Sequence, residues 1–197
     1  MKITVHYFDS NIVDINDILS NTFLSEKDLK DLGKYHVLEV KKEKAISTYF
    51  KNRYIGKYYI NEYGKPLSDK CFFNISHSKG VIAFASTSYP IGIDLEVIRE
   101  VNEDLVQYIS SKEEYQFIQT DTDFYKLWTS KEALVKLIGT GIKSKVNEIP
   151  GLPLNDIRKY ENHIIQSKTM EYENIVLTVA IETKEEIEIE IVKEKII

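Results

Sequence analysis

Residues 91–97 read IGIDLEV, an alternation that places Ile91, Ile93, Leu95 and Val97 on one face of an extended strand and Gly92, Asp94 and Glu96 on the other. The apolar face has to be buried, so this segment requires a sheet with at least one packed face. It also points two carboxylates to the same side. Hard oxygen ligands of this kind suit Mg²⁺, which commonly takes one or two carboxylates together with substrate phosphates and waters. The same pattern arises on the wet outer face of an ordinary strand, so Asp94-x-Glu96 alone decides nothing.

Other segments extend the sheet. Residues 2–8 (KITVHYF) put Ile3, Val5 and Tyr7 on one face. The apolar stretch Cys71 to Ile75 and VIAFAST at 81–87 flank His77-Ser78-Lys79-Gly80 and are expected to form a hairpin, with the hydroxyls and imidazole of 76–78 at a turn. IVLTVAI at 175–181 and IEIEIVK at 187–193 alternate again, and Glu188 and Glu190 mark the latter as an edge strand with one wet face.

Helices are expected between them. Ser25 before Glu26, Lys27 and Asp28 reads as a helix start, and Ala45, Ile46, Tyr49, Phe50 and Ile55 carry helical spacing over 40–55. Ser110 or Ser111 with Glu113 or Glu114 forms a capping-box pattern that opens a short helix. A longer helix runs from about Phe124 to Ile138 and stops at Gly139-Thr140-Gly141. A polar stretch from Arg99 to Asp104 suggests a boundary, dividing the chain into 1–99 and 100–197. Both parts share the order strand, helix, strands.

Bulk properties exclude several classes. The chain has 197 residues, 43% of them hydrophobic and 29% charged, which is enough apolar material for a core. A net charge of −5 argues against general nucleic-acid binding through phosphate contacts. Cys71 is the single cysteine, so no internal disulfide forms, and the thiol is expected to be a small buried hydrophobe. No segment approaches the ~20 apolar residues of a membrane helix and residues 1–9 lack a signal-like apolar run, so a cytoplasmic, monomeric protein is expected.

Three further constellations bear on chemistry. In WTSKEALVK at 128–136, Trp128, Glu132 and Lys136 follow i, i+4, i+8 spacing and share a helix face. A surface Glu132–Lys136 pair contributing about 0.3 kcal/mol is the plain alternative. In FNISHS at 73–78, two hydroxyls and an imidazole crowd a short segment and could donate to phosphate oxygens. A Ser-His nucleophile is disfavoured, because neighbouring strand residues point to opposite faces and no G-x-S-x-G elbow surrounds Ser76 or Ser78. Gly64-Lys65-Pro66 by itself is merely a turn.

Taken together and in this order, GKP at 64–66, FNISHS at 73–78, IGIDLE at 91–96 and WTSKEALVKLIGTG at 128–141 resemble the signature of the Sfp-type 4′-phosphopantetheinyl transferases. That resemblance implies two similar α+β halves related by a pseudo-twofold, with the active site in the cleft between them. It implies an enzyme that moves the phosphopantetheine arm of coenzyme A to a serine of an apo acyl or peptidyl carrier protein, releasing 3′,5′-ADP. Fatty-acid, polyketide and nonribosomal peptide synthesis are the pathways such carriers serve. By resemblance, Asp94, Glu96 and Glu132 would hold Mg²⁺, Lys136 would contact the phosphates and the leaving group, and Lys65, Ser76 and His77 would bind nucleotide phosphates. Glu132 is the candidate to accept the serine proton, so Glu132 and Lys136 form the catalytic set.

One region departs from the family pattern. KKEKAISTYFKNR stands where the family carries an arginine-rich stretch, with Lys42 and Lys51 apparently replacing arginines, so Lys42 is a looser candidate at the nucleotide end. Lysine offers a point charge without bidentate geometry. A non-catalytic module that binds coenzyme A or carrier proteins is the alternative, and a metal-dependent phosphodiesterase is a third reading, weakened by the acidic net charge. For the carrier, the segment from Ser111 to Gln119 offers Tyr115, Phe117 and Ile118 beside Lys112 as a docking patch.

Overall fold

The computed structural model describes residues 1–139, 141 and 145–195, so Thr140 of the expected helix stop lies outside the described residues. The chain opens with β1 (Lys2–Asp9), a 3₁₀ turn, and the helices α1 (Ile15–Leu19), α2 (Glu26–Leu32) and α3 (Leu38–Phe50), the last prolonged by a π-helical turn over Lys51–Ile55. A two-stranded ribbon, β2 (Tyr59–Ile60) and β3 (Pro66–Leu67), precedes β4 (Phe72–Ser78), β5 (Val81–Thr87) and β6 (Ile91–Val97). Then come α4 (Glu103–Ile109), α5 (Lys112–Phe117) and α6 (Asp121–Ile138), followed by β7 (Ile157–Tyr160), β8 (His163–Tyr172), β9 (Ile175–Glu182) and β10 (Glu188–Lys193). The fold is α+β, and no described helix is long and apolar enough to cross a membrane.

Two four-stranded sheets organise the described residues, one in the order β10-β1-β5-β4 and the other β6-β9-β8-β7. Alternation explains the layering. Ile3, Val5 and Tyr7 of β1, Val81, Ala83 and Ala85 of β5, Ile91, Ile93 and Leu95 of β6, and the odd residues of β9 share one core between the sheets. The opposite faces are roofed by helices. Phe8, Ile82 and Phe84 pack with Ala45, Ile46, Tyr49 and Phe50 of α3, while Val176 and Ala180 of β9 pack beneath α6.

Hydrogen bonding does not follow chain order at residue 100. β6, from the first part, pairs antiparallel with β9, and β10, from the second, pairs parallel with β1. A division at a polar linker reflects local composition, whereas strand pairing is settled by nonlocal burial. The expectation that the hydroxyls and imidazole of 76–78 sit at a turn is corrected: β4 continues through Ser78, and the two-residue turn is Lys79-Gly80, both with positive φ, at 50° and 82°.

Gly92 sets the distance between β6 and α6. A Cβ there would lie 2.1 Å from the Ala133 carbonyl oxygen and 2.4 Å from the Leu137 amide nitrogen, so only glycine lets the helix backbone rest on the strand. Because Gly92, Asp94 and Glu96 share a face, this contact carries both carboxylates under α6.

Candidate active site

The helix that meets them is sharply delimited. Thr120 and Asp123 form a reciprocal capping box at its start, and Gly139 closes it in the left-handed conformation at φ 78°. Thr129, Ala133 and Leu137 face the sheet, with Thr129 Oγ1 2.8 Å from Thr178 Oγ1. That register leaves Glu132 and Lys136 on the side where β4 and the Gly64-Lys65-Pro66 turn converge, whereas Trp128, one turn earlier, packs with Val106, Ile109 and Phe124.

Asp94 is almost fully buried. Its Oδ1 accepts from Ser76 Oγ at 2.7 Å and from Lys136 Nζ at 2.6 Å, and Lys136 also donates to Ser76 Oγ at 2.9 Å. Its Oδ2 is buried with no hydrogen-bond partner. Glu96 accepts from Ser78 Oγ at 2.5 Å, and Arg99 approaches the same oxygen at 3.5 Å. Burial raises the Asp94 carboxyl above its ordinary range, while Lys136 and Ser76 oppose that rise. The Glu132 carboxyl is raised too, first by burial and then by the charge of Asp94, with Lys136 opposing and Glu96 adding a little. Asp94 and Glu132 therefore share one ammonium, that of Lys136.

Lys65 enters from the ribbon. Its Nζ donates to the carbonyl oxygens of Lys136 at 2.6 Å and Leu137 at 3.0 Å, satisfying acceptors in the last turn of α6. Burial lowers its pKa. Tyr63, Lys65, Pro66, Asn74, Glu132 and Lys136 are among the residues that line a cleft of about 290 Å³ beside the buried carboxylates.

The expected site residues thus fall into two groups. Lys65, Ser76, Asp94, Glu96, Glu132 and Lys136 are gathered in and beside the cleft. His77 points to the other face of β4, where its Nδ1 lies 3.2 Å from Glu43 of α3. Lys42 donates to the carbonyls of Ser10 at 3.0 Å and Val13 at 2.5 Å, tying α3 to the turn after β1. Cys71 is half-buried against the α3 core, and burial raises its thiol pKa.

Sequence reasoning passed over two features. Ser78 was grouped with a turn, although it contacts Glu96. Lys131 carries no signal of its own in the sequence and Glu114 only that of a cap, yet they form a buried pair at 2.7 Å. The signal for the first was the two-residue spacing of Asn74, Ser76 and Ser78.

The donors around Asp94, Glu96 and Glu132 are all oxygens, and one of them is buried and unengaged, which fits a hard divalent cation. As the side chains stand, no three His, Cys, Asp or Glu among the described residues are drawn together around one point. Asp94 is engaged by Ser76 and Lys136, and Glu96 by Ser78 and Arg99.

Fold and site together define a two-sheet α+β protein with an acidic, lysine-bridged cleft suited to phosphate chemistry. Residues 90–182 match the family model of the 4′-phosphopantetheinyl transferase superfamily, which takes in β6, α6 and the second sheet. The chain is 37% identical over 94 residues to the 4′-phosphopantetheinyl transferase gsp of Aneurinibacillus migulanus, covering 44% of this chain and 40% of that protein. It is 41% identical over 93 residues to a 4′-phosphopantetheinyl transferase of Bacillus subtilis, covering 42% and 41%, and 38% identical over 97 residues to the transferase Sfp of Bacillus subtilis strain 168, covering 44% and 42%. The chain thus spans about two fifths of the length of the curated relatives it matches. The family match takes in the IGIDLE and WTSKEALVKLIGTG motifs, whereas GKP at 64–66 and FNISHS at 73–78 lie outside it.

Proposed function

We propose that this protein transfers the 4′-phosphopantetheine moiety of coenzyme A to a serine of an apo acyl or peptidyl carrier protein. The observation that carries the reading is the convergence of Lys65, Glu132 and Lys136 on one cleft beside buried Asp94. In the reaction the serine oxygen forms a bond to the β-phosphorus, the bond from that phosphorus to the bridging oxygen breaks, and 3′,5′-ADP leaves.

Asp94, Glu96 and Glu132 would hold Mg²⁺, which when bound supplies charge neutralisation at the pyrophosphate. Lys136 stabilises negative charge on the phosphoryl oxygens and the leaving nucleotide, an interaction that strengthens as that charge develops. Glu132 accepts the serine proton. Lys65 and Ser76 contribute donors at the phosphate end, whereas His77 and Lys42 face Glu43 and the turn after β1, outside this cleft. A cytoplasmic setting, a monomeric state and a pseudo-twofold relation of 1–99 and 100–197 complete the reading.

The test is to incubate the protein with coenzyme A, Mg²⁺ and a panel of apo carrier proteins and to measure intact carrier mass. A gain of one phosphopantetheine, abolished by EDTA and restored by Mg²⁺, is expected. Binding of coenzyme A without transfer to any carrier would favour the non-catalytic module, and full transfer in excess EDTA, with carried-over metal excluded, would end the metal assignment.

A further inference from the structure

β6 is an edge strand of its sheet and β4 an edge strand of the other. An edge strand presents a row of main-chain N–H groups that need partners when the edge is buried. Along β6 those partners are side chains. Ile93 N donates to Asn74 Oδ1 at 2.9 Å, Leu95 N to Ser76 Oγ at 3.3 Å, and Val97 N to Ser78 Oγ at 3.3 Å. The offset is 19 residues each time, so β4 and β6 run in the same direction, joined by side chains where a second backbone would otherwise lie.

We propose that Asn74, Ser76 and Ser78 form a side-chain ladder that joins the two sheets along the β6 edge, and that Ser78 is the positioning residue for Glu96. Two facts argue against a chance arrangement. The intervening residues Phe73 and Ile75 pack on the α3 core and His77 meets Glu43, so period-two alternation commits every even residue of this stretch to β6. Each serine oxygen also works in both senses, accepting from a β6 amide while donating to a β6 carboxylate: Ser76 to Asp94 and Ser78 to Glu96. A hydroxyl has one proton and two lone pairs, which is the capacity this role requires. The ladder therefore sets sheet register and carboxylate direction through the same atoms.

The consequence for ion binding rests on the proposed metal-dependent transfer; the ladder itself does not. The experiment compares wild type, Ser78→Ala and Ser78→Thr by NMR amide hydrogen exchange and by Mn²⁺ binding followed with EPR. In Ser78→Ala the Val97 amide should exchange about tenfold faster or more, Leu95 and Ile93 should change less, and the Mn²⁺ dissociation constant should rise about tenfold, as expected when a ligand loses its orienting partner. Threonine keeps the hydroxyl and should restore both. An unchanged Val97 exchange rate overturns the ladder, and accelerated exchange with unaltered Mn²⁺ affinity overturns the positioning role. Should Ser78→Ala fail to fold, the wild type still decides, because Leu95 and Val97 amides exchanging as fast as unpaired edge amides would refute the ladder. A wild type that binds no Mn²⁺ sinks the metal reading and the positioning role with it, and leaves the ladder to the exchange data.

Discussion

α6 carries two lysines five residues apart, Lys131 paired with Glu114 of α5 and Lys136 with Asp94 of β6, and the pairs are built to opposite ends. Lys131 is almost wholly buried, and its three protons go to Glu114 Oε2 at 2.7 Å, the Ile109 carbonyl at 2.8 Å and the Val146 carbonyl at 3.0 Å. Glu114 is closed as well, since Oε1 accepts from the Gly151 amide at 2.7 Å and Oε2 from the Ser111 amide at 2.8 Å. Lys136 is partly open, and its partner Asp94 keeps one buried oxygen unengaged. Burial lowers the Lys131 pKa, and the hydrogen bond and charge of Glu114 partly restore it. A saturated pair welds helix to loops. An unsaturated one beside a cleft retains capacity for a ligand, because exchanging one of its partners leaves fewer buried groups stranded.

The largest test of that contrast is Lys131→Met. It strands the buried Glu114 carboxylate and should destabilise the protein by about 3–5 kcal/mol, read as a lowered urea midpoint. Adding Glu114→Leu should recover part of the loss, as coupled partners are not additive. Lys136→Ala comes next, with kcat lowered about 10²-fold or more in a protein that still folds, since the lost interaction belongs to the transition state. Equal loss of stability in the two lysine variants would erase the distinction, and a near-normal kcat in folded Lys136→Ala would make Lys136 a structural partner of Asp94.

The smallest effect is expected on the outer face of α5, the helix that carries Glu114. Ile118 packs on the neighbouring core, whereas Tyr115 remains 44% exposed. If this face receives the carrier, Tyr115→Asp should raise KM for the carrier several-fold while leaving KM for coenzyme A and the melting temperature unchanged. No change in either KM would place docking elsewhere, and unfolding would make Tyr115 part of the core.

Much of this was legible from residue order. Period-two runs located β1, β5, β6, β9 and β10, and Gly139 marked the end of α6, because both signals are local; the helix starts at Asp121 behind the Thr120–Asp123 capping box, three residues before the expected Phe124. β7 and β8 were not anticipated. HIIQSKTMEY mixes polar and apolar residues, since some of its polar side chains are buried, as where Thr169 reaches Thr178 of β9 and the Leu154 carbonyl. The exchange of β6 and β10 between sheets was equally invisible, because strand pairing depends on contacts far apart in the chain.

For the site, the sequence alone determined which side chains share a face: Asp94 with Glu96 on a strand, and Trp128, Glu132 and Lys136 on a helix. Backbone geometry dictates those two periods. It also supplied Gly92, though not its reason, which is the 2.1 Å approach of the Ala133 carbonyl. Only the tertiary structure decided that Lys136 pairs with Asp94 across 42 residues rather than with Glu132 one turn away, that Lys65 caps α6, and that His77 turns away from the cleft. Those outcomes depend on how sheets and helices stack, where burial makes each polar atom find whatever partner packing brings near, and spacing along the chain carries no record of that choice.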